Sequence, residues 1–388
     1  MYNLVQKIRG DFLSTGIVCE FNPFHNGHKY LVEKAREITG EPIIAVMSGS
    51  FTQRGEVALT DKFSRTRAAL LSGVDLVLEL PAVYAVSNAE RFARCGVKLL
   101  CSFSDMKHLS FGCESNDISK LKKAATAHSN AEIQGLVALG MKNGGYYPKV
   151  LEESVKAVYG EEIAQILSTP NNVLAVEYIR NLNENVEPVP IKRMGVSHDS
   201  NEISGGFASA SKVRELMHNS KNVSGFLPFV PQEITYPEKH ETATLYKLRS
   251  MSLDEIAALP DVSEGLENRI YAAVREYNST KEIITAVKTK RYTHARIRRI
   301  LTCALLGITE EMQNTEAEYV RVLGFTPQGA NLLKNCRLPV VTSVTKGLKL
   351  GKNVQTLLEK DIFATDIAAL AYPTPHKCGM DFTTQIIK

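Results

Sequence analysis

At 388 residues the chain exceeds what one small core can organise, and at roughly 150 residues per domain it should hold two or three units. Its 44% hydrophobic and 23% charged content is that of a globular protein, which excludes the disordered and fibrous classes. The net charge of +4 suits an anionic partner without requiring one. Seven cysteines lack any C-x-x-C pair or zinc-type spacing, as expected for buried free thiols in a reducing compartment. No apolar run approaches the ~20 residues of a membrane span, and residues 1 to 14 lack the apolar stretch of a secretion signal. A cytoplasmic protein with no membrane partner is expected, with residues 1 to 14 as a loose tail.

In chain order, Gly16 to Phe21 reads as a buried strand, and Leu31, Ala35 and Ile38 place a helix face over residues 28 to 38. Pro42 opens a second strand from Ile43 to Met47. Thr60 or Asp61 caps a helix through Leu71, and Asp75 to Leu80 is a third strand stopped by Pro81. A helix over 88 to 100 leads to a fourth strand, His108 to Gly112. Helical patterns then cover about 117 to 142, 149 to 167 and 173 to 182. Pro190 to Met194 is a fifth strand, and a Gly-, Ser- and Asn-rich loop from Gly195 to Ser209 opens a helix near 211 to 217. This alternation predicts a Rossmann-like α/β domain with a parallel sheet. Past Pro228-Phe229-Val230-Pro231 the pattern becomes mostly helical. The expected division is therefore a catalytic domain over 1 to 228 and a helical domain over 229 to 388.

The first strand runs into His25-Asn26-Gly27-His28 at a helix start. In open parallel sheets, ligands sit beyond the carboxyl ends of the strands. A helix N-terminus there favours phosphate through its unpaired N–H groups and its dipole. Imidazoles add donors that stabilise charge on a transferring phosphoryl group. Gly27 would admit a nucleotide close to the backbone. Two histidines three apart can face one ligand, although any single one could be a plain surface residue. After the fifth strand, Ser211 can cap the helix while Ser209, Lys212 and Arg214 reach phosphates. The plainer alternative is a Ser-capped helix with solvated charges.

His25-x-Gly27-His28 resembles the H-x-G-H signature of the nucleotidyltransferase superfamily. Ser209 to Arg214 resembles its second signature, with Ala210 where a second hydroxyl is usual. The longer stretch Glu20-Phe21-Asn22-Pro23-Phe24-His25-Asn26-Gly27-His28 resembles the bacterial tRNA(Met) cytidine acetate ligase family. So do Met47 to Glu56, Asp75 to Pro81, Ser110 to Glu114, Pro170 to Tyr178, Ile191 to Arg193 and Lys288 to Thr293. The resemblance implies that ATP and acetate form acetyl-adenylate and pyrophosphate. The acetyl group then passes to N4 of the wobble cytidine of elongator tRNA(Met). It also implies an ATP site built from Val18, Glu20, Phe21, Asn22, Gly27, Gly112, Asn171 or Asn172, and Arg193, joined by Ser209 and Ser211. His25, His28, Lys212 and Arg214 would neutralise the leaving pyrophosphate, with Mg2+ expected beside the ATP and no resident metal site. Ionised acetate needs no general base to attack phosphorus, so the site's tasks are positioning and charge neutralisation. Cys19 has no activating partner and reads as a core cysteine. Gln53-Arg54-Gly55 is either a loop over the ligands or plain surface.

A basic segment completes the picture. Lys288, Lys290, Arg291, Arg296, Arg298 and Arg299 surround an apolar stripe of Ile297, Ile300, Leu301, Ala304 and Leu305. Such a rim tracks phosphates, and Tyr292 or His294 could stack on an unpaired base. A solvated charged face is the alternative for this segment alone. For the whole chain, the alternatives are an adenylyltransferase acting on a small phosphorylated metabolite and an RNA-binding protein with a relic nucleotide pocket.

Overall fold

The structure is a computed structural model that describes residues 13–194 and 206–388. Most of the expected N-terminal tail and of the Gly195–Ser209 loop lies outside the described residues. Seven strands form one sheet: β1 (Ser14–Cys19), β2 (Ile43–Ser48), β3 (Leu76–Leu80), β4 (Met106–Cys113), β5 (Glu187–Lys192), β6 (Val320–Phe325) and β7 (Val340–Val341). Their order is β5-β4-β1-β2-β3-β6-β7, and the first five are parallel. β2 and β3 are buried along their whole length, and β1 to its last residue. That is why they read as continuous apolar runs: helices cover both faces of a parallel sheet. The order reverses between β1 and β4, which opens a crevice at their carboxyl ends.

Seven of the helices matter below: α1 (Asn26–Thr39), α2 (Lys62–Leu71), α3 (Ala89–Cys101), α4 (Pro170–Asn181), α5 (Ala210–His218), α6 (His294–Leu306) and α7 (Lys352–Ala368). In α1 the core contacts come from Val32 and Ala35, while Ile38, expected on that face, is 58% exposed. Asp61, one of the two expected caps, accepts the Ser64 N–H at 2.8 Å and starts α2. In α6 the expected apolar stripe is buried throughout.

The C-terminal half is mostly helical, but it also adds β6 antiparallel to β3 and then β7, so the sheet continues past residue 228. An ion cluster fixes that junction. Lys62 is wholly buried, with Nζ 2.7 Å from Glu79 and 2.8 Å from Asp381; Arg321 on β6 reaches Glu79 at 2.8 Å and Asp381 at 2.7 Å. Two cations face two carboxylates, so each buried charge has a partner, and removing one would leave its partners uncompensated. One buried apolar cluster runs from β3 and α3 into α6 and α7.

Candidate active site

A cavity of about 440 Å³ opens at the crevice between β1 and β4, within the size range of ligand sites. Its walls include Val18, Glu20, Phe21, Asn22, His25, Gly27 and His28 from β1 and the start of α1. Gly112, Asn171, Arg193, Ser209, Ser211 and Arg214 complete the set. The structure thus gathers nearly all the expected nucleotide residues in one place. Two stay outside it. Lys212 is not among the lining residues, and its ammonium sits 2.9 Å from Glu215. Asn172 is buried, and its Oδ1 accepts the N–H groups of Glu114 and Ser115, both at 3.0 Å. Of the two asparagines, Asn171 is therefore the one facing the cavity.

The two histidines cap α1 reciprocally. His25 Nδ1 accepts the Gly27 N–H at 2.9 Å, and His28 Nδ1 accepts the His25 N–H at 3.3 Å. Because both Nδ1 atoms accept, each neutral ring carries its hydrogen on Nε2. The rings stack with centroids 3.9 Å apart. Burial, reinforced by Arg193 and Arg214, pushes His25 down to about 3. Burial and the neighbouring His25 hold His28 well below the usual imidazole range. At neutral pH both rings are uncharged donors, and Arg193 and Arg214 supply the positive charge. Gly27 has a local reason: a Cβ there would stand 2.7 Å from Cε1 of His25 and push the ring off its cap. Room for this ring, more than for a nucleotide, is what the structure gives glycine to do here.

Ser209 and Ser211 exchange their expected parts. Ser209 is the N-cap of α5 and accepts the Lys212 N–H at 3.1 Å, since helix geometry begins at Ala210. Ser211 lies inside the first turn, where its hydroxyl accepts from Arg214 at 3.2 Å. Arg214 also donates to the Asn22 carbonyl at 2.9 Å, which ties α5 to the first motif. Arg193 lies 3.5 Å from Asn171 Oδ1, so the end of β5 and the start of α4 meet across the cavity.

The Glu-x-Asn of the first motif anchors a loop. Glu20 accepts the Gln53 N–H at 2.6 Å, and Asn22 Oδ1 accepts the Leu59 N–H at 2.7 Å. Burial raises the Glu20 carboxyl, opposed by the Gln53 bond. Arg65, fully buried, donates to the carbonyls of Glu20 (2.7 Å), Ser48 (2.9 Å), Thr60 (3.2 Å) and Gly49. It thereby joins the carboxyl ends of β1 and β2. Nothing in the sequence singles out Arg65, because its four acceptors are main-chain atoms. Cys19 is half-buried at the cavity wall, and its thiol is pushed well up by desolvation, so it is no ready nucleophile.

The loop carries Gln53, Arg54 and Glu56 to the cavity wall, then packs on α6. Thr302 donates to the Gly55 carbonyl at 2.8 Å, and Glu56 pairs with Arg298. The expected basic rim thus abuts the cavity. Its other members divide. Lys288, Lys290 and Arg291 are exposed, and Arg291 pairs with Glu264 at 3.1 Å. Arg296 donates to the Asp261 carbonyl (2.6 and 2.9 Å), and Arg299 pairs with the Asp261 carboxylate at 3.1 Å. Tyr292, expected to stack on a base, is instead buried, because its ring packs in the core with the Arg296 guanidinium 5.1 Å above it. His294 is exposed.

No helix among the described residues is long and apolar enough to cross a membrane. A family model described as "HIGH Nucleotidyl Transferase" matches residues 13–381. The tRNA(Met) cytidine acetate ligase of Thermoanaerobacter sp. (strain X514) is 40% identical over 401 residues, covering 96% of this chain and 99% of that protein. That of Caldanaerobacter subterraneus subsp. tengcongensis is 37% identical over 400 residues, with the same coverage. The crystal structure of apo Thermotoga maritima TmcAL (form I) superposes with a TM-score of 0.90 at 31% identity, over 97% of this chain and 99% of that one. The same protein bound with alpha-thio ATP (form II) gives a TM-score of 0.86 at 31% identity.

Proposed function

The chain belongs to the tRNA(Met) cytidine acetate ligase family, and from that premise we propose that it acetylates N4 of the wobble cytidine of elongator tRNA(Met) with ATP and acetate. The observation that carries this reading is the gathering of the H-x-G-H cap, Asn171, Arg193 and Arg214 around one cavity at the switch point of the sheet.

In the first step ATP lies with its phosphates toward the start of α1. Its contacts come from the wall already described: Val18, Glu20, Phe21, Asn22, Gly27, Gly112, Asn171, Ser209 and Ser211. The neutral His25 donates Nε2–H to a phosphate oxygen, and His28 does so only as it releases the Pro23 carbonyl that its ring also bonds. Arg193 and Arg214 supply charge, which arginine keeps even when buried. Ionised acetate attacks the α-phosphorus, the bond to pyrophosphate breaks, and acetyl-adenylate forms. Mg2+ would enter with the triphosphate, since the carboxylates lining the cavity, Glu20 and Glu56, already have partners. In the second step the cytidine amine attacks the acetyl carbonyl and AMP leaves. Lys212 enters only if it leaves Glu215.

The division of labour follows the two halves. Residues 1–228 hold the nucleotide, and residues 229–388 present Lys288, Lys290, Arg291, Arg296, Arg298 and Arg299 to RNA. Such an enzyme works in the cytoplasm, where ATP and tRNA are. The reading is tested by acetate-dependent exchange of labelled pyrophosphate into ATP. Exchange that requires acetate and falls at least about 10²-fold in His25→Ala supports it. Exchange that ignores acetate, or survives His25→Ala, overturns it.

A further inference from the structure

The second step needs something the first does not. When the cytidine amine attacks, a bond forms from N4 to the acetyl carbon and the bond from that carbon to the AMP oxygen breaks. N4 must also shed one proton. AMP can leave as its anion, so the proton needs an acceptor near the incoming base.

Two carboxylates line the cavity, Glu20 and Glu56. Glu20 is half-buried at the end of β1, with one carboxylate oxygen held by the Gln53 N–H of the loop at 2.6 Å. Glu56 stands differently. Its side chain is 28% exposed, it belongs to the cavity wall, and it pairs with Arg298 on the basic rim. It also lies near enough to Arg214 to support that guanidinium's charge. Glu56 therefore sits where an RNA strand following α6 would deliver a base to the nucleotide pocket. Its placement is built in. Gly55, at φ +72°, packs against the backbone of Arg298 and Arg299, and Thr302 holds its carbonyl.

We infer that Glu56 reads the target cytosine, accepting a hydrogen bond from the exocyclic N4 amine and taking its proton as the amide forms. A carboxylate is the side chain that pairs with cytosine N4–H and repels the O4 acceptor of uracil, so one residue serves both specificity and catalysis. This inference rests on the acetylation reading above.

The test compares wild type, Glu56→Gln and Arg298→Gln, each with full-length enzyme. It reads acetate-dependent pyrophosphate exchange, acetyl transfer to tRNA at saturating tRNA, and inhibition by tRNA carrying uridine at the wobble position. Glutamine keeps the size of glutamate and an oxygen for Arg298, so Glu56→Gln should fold. For Glu56→Gln, transfer at saturating tRNA is expected to fall about 10²-fold or more, far beyond any loss in exchange. Its preference for the cytidine tRNA over the uridine tRNA should narrow by about 10-fold, since an amide N–H can donate to O4. Arg298→Gln should instead act mainly on the KM for tRNA, with a far smaller loss of maximal rate than Glu56→Gln and with the base preference kept. If Glu56→Gln transfers at the wild-type rate, or merely reproduces the Arg298→Gln pattern, Glu56 only anchors the rim and the inference fails. If wild type puts no acetate into cytidine, the acetylation reading itself fails.

Discussion

Arg65→Lys keeps a buried positive charge but removes the fork that joins β1 to β2. The guanidinium serves the carbonyls of Glu20, Ser48, Gly49 and Thr60 from three nitrogens. A lysine ammonium is a single point with three donors and cannot span that set. At least two carbonyls would lose their donor, at about 1–3 kcal/mol for each buried acceptor left unpaired. The expected loss is therefore about 2–6 kcal/mol, a large fraction of the 5–15 kcal/mol typical of a folded protein. Urea unfolding followed by circular dichroism would read this as a lower midpoint with an unchanged slope. Because Glu20 also holds the loop over the cavity, ATP affinity should fall in parallel, measured by calorimetry under conditions where the variant stays folded. A midpoint within about 0.5 kcal/mol of wild type, the range of an ordinary surface substitution, would refute the reasoning.

Three further outcomes follow from the same contacts. Gly55→Ala puts a Cβ 2.7–2.9 Å from the backbone of Arg298 and Arg299 and adds the roughly 1–2 kcal/mol cost of a left-handed alanine, so acetyl transfer should fall more than pyrophosphate exchange. Asn171→Ala should raise the KM for ATP with little loss of stability, whereas Asn172→Ala strands two N–H groups and should cost about 1–3 kcal/mol in a denaturant melt. The pH dependence has two limbs. His25 is held down to about 3, so below pH 6.5 the unfolded chain binds a proton that the folded chain refuses. Stability is then lost as pH drops below 6.5, by up to about 1.4 kcal/mol per unit, and His25→Gln should gain on wild type over that range. Glu177 is raised to about 7 by burial, so its folded form prefers the proton. That contribution is present below pH 4.5 and lost as pH rises through 7, and Glu177→Gln should gain on wild type between pH 5 and 8.

Much of the fold was legible because β1, β2 and β3 are covered on both faces and so announce themselves as apolar runs. β6 was not. Val320-Arg321-Val322-Leu323-Gly324-Phe325 interrupts its run with an arginine, and the reason lies elsewhere in the chain: Arg321 answers Glu79 on β3 across the sheet. Lys62 was hidden for the same reason, as its partners are Glu79 and Asp381. His25, Gly27, His28, Ser209, Ser211 and Arg214 could be named because they occupy a strand end and helix starts, whereas Gly112, the asparagine pair and Arg193 came only with the family resemblance. The division of tasks among them could not be named. Whether Ser209 or Ser211 caps α5, and whether Asn171 or Asn172 faces the cavity, depends on a shift of two residues and of one residue in where the helix begins. Tyr292 looked like part of a basic rim, and only its packing shows that it faces inward. Glu20 and Asn22 make sense only with the loop they hold, whose N–H groups carry no sequence signal.

This cavity is expected to activate acetate for transfer to a tRNA base. The most direct measurement is incubation with ATP, labelled acetate and total tRNA, followed by digestion and nucleoside analysis. Label should appear in N4-acetylcytidine, should depend on ATP, and should come from tRNA(Met) alone. Labelled acetate absent from cytidine, while the enzyme binds ATP and remains folded, would contradict the account.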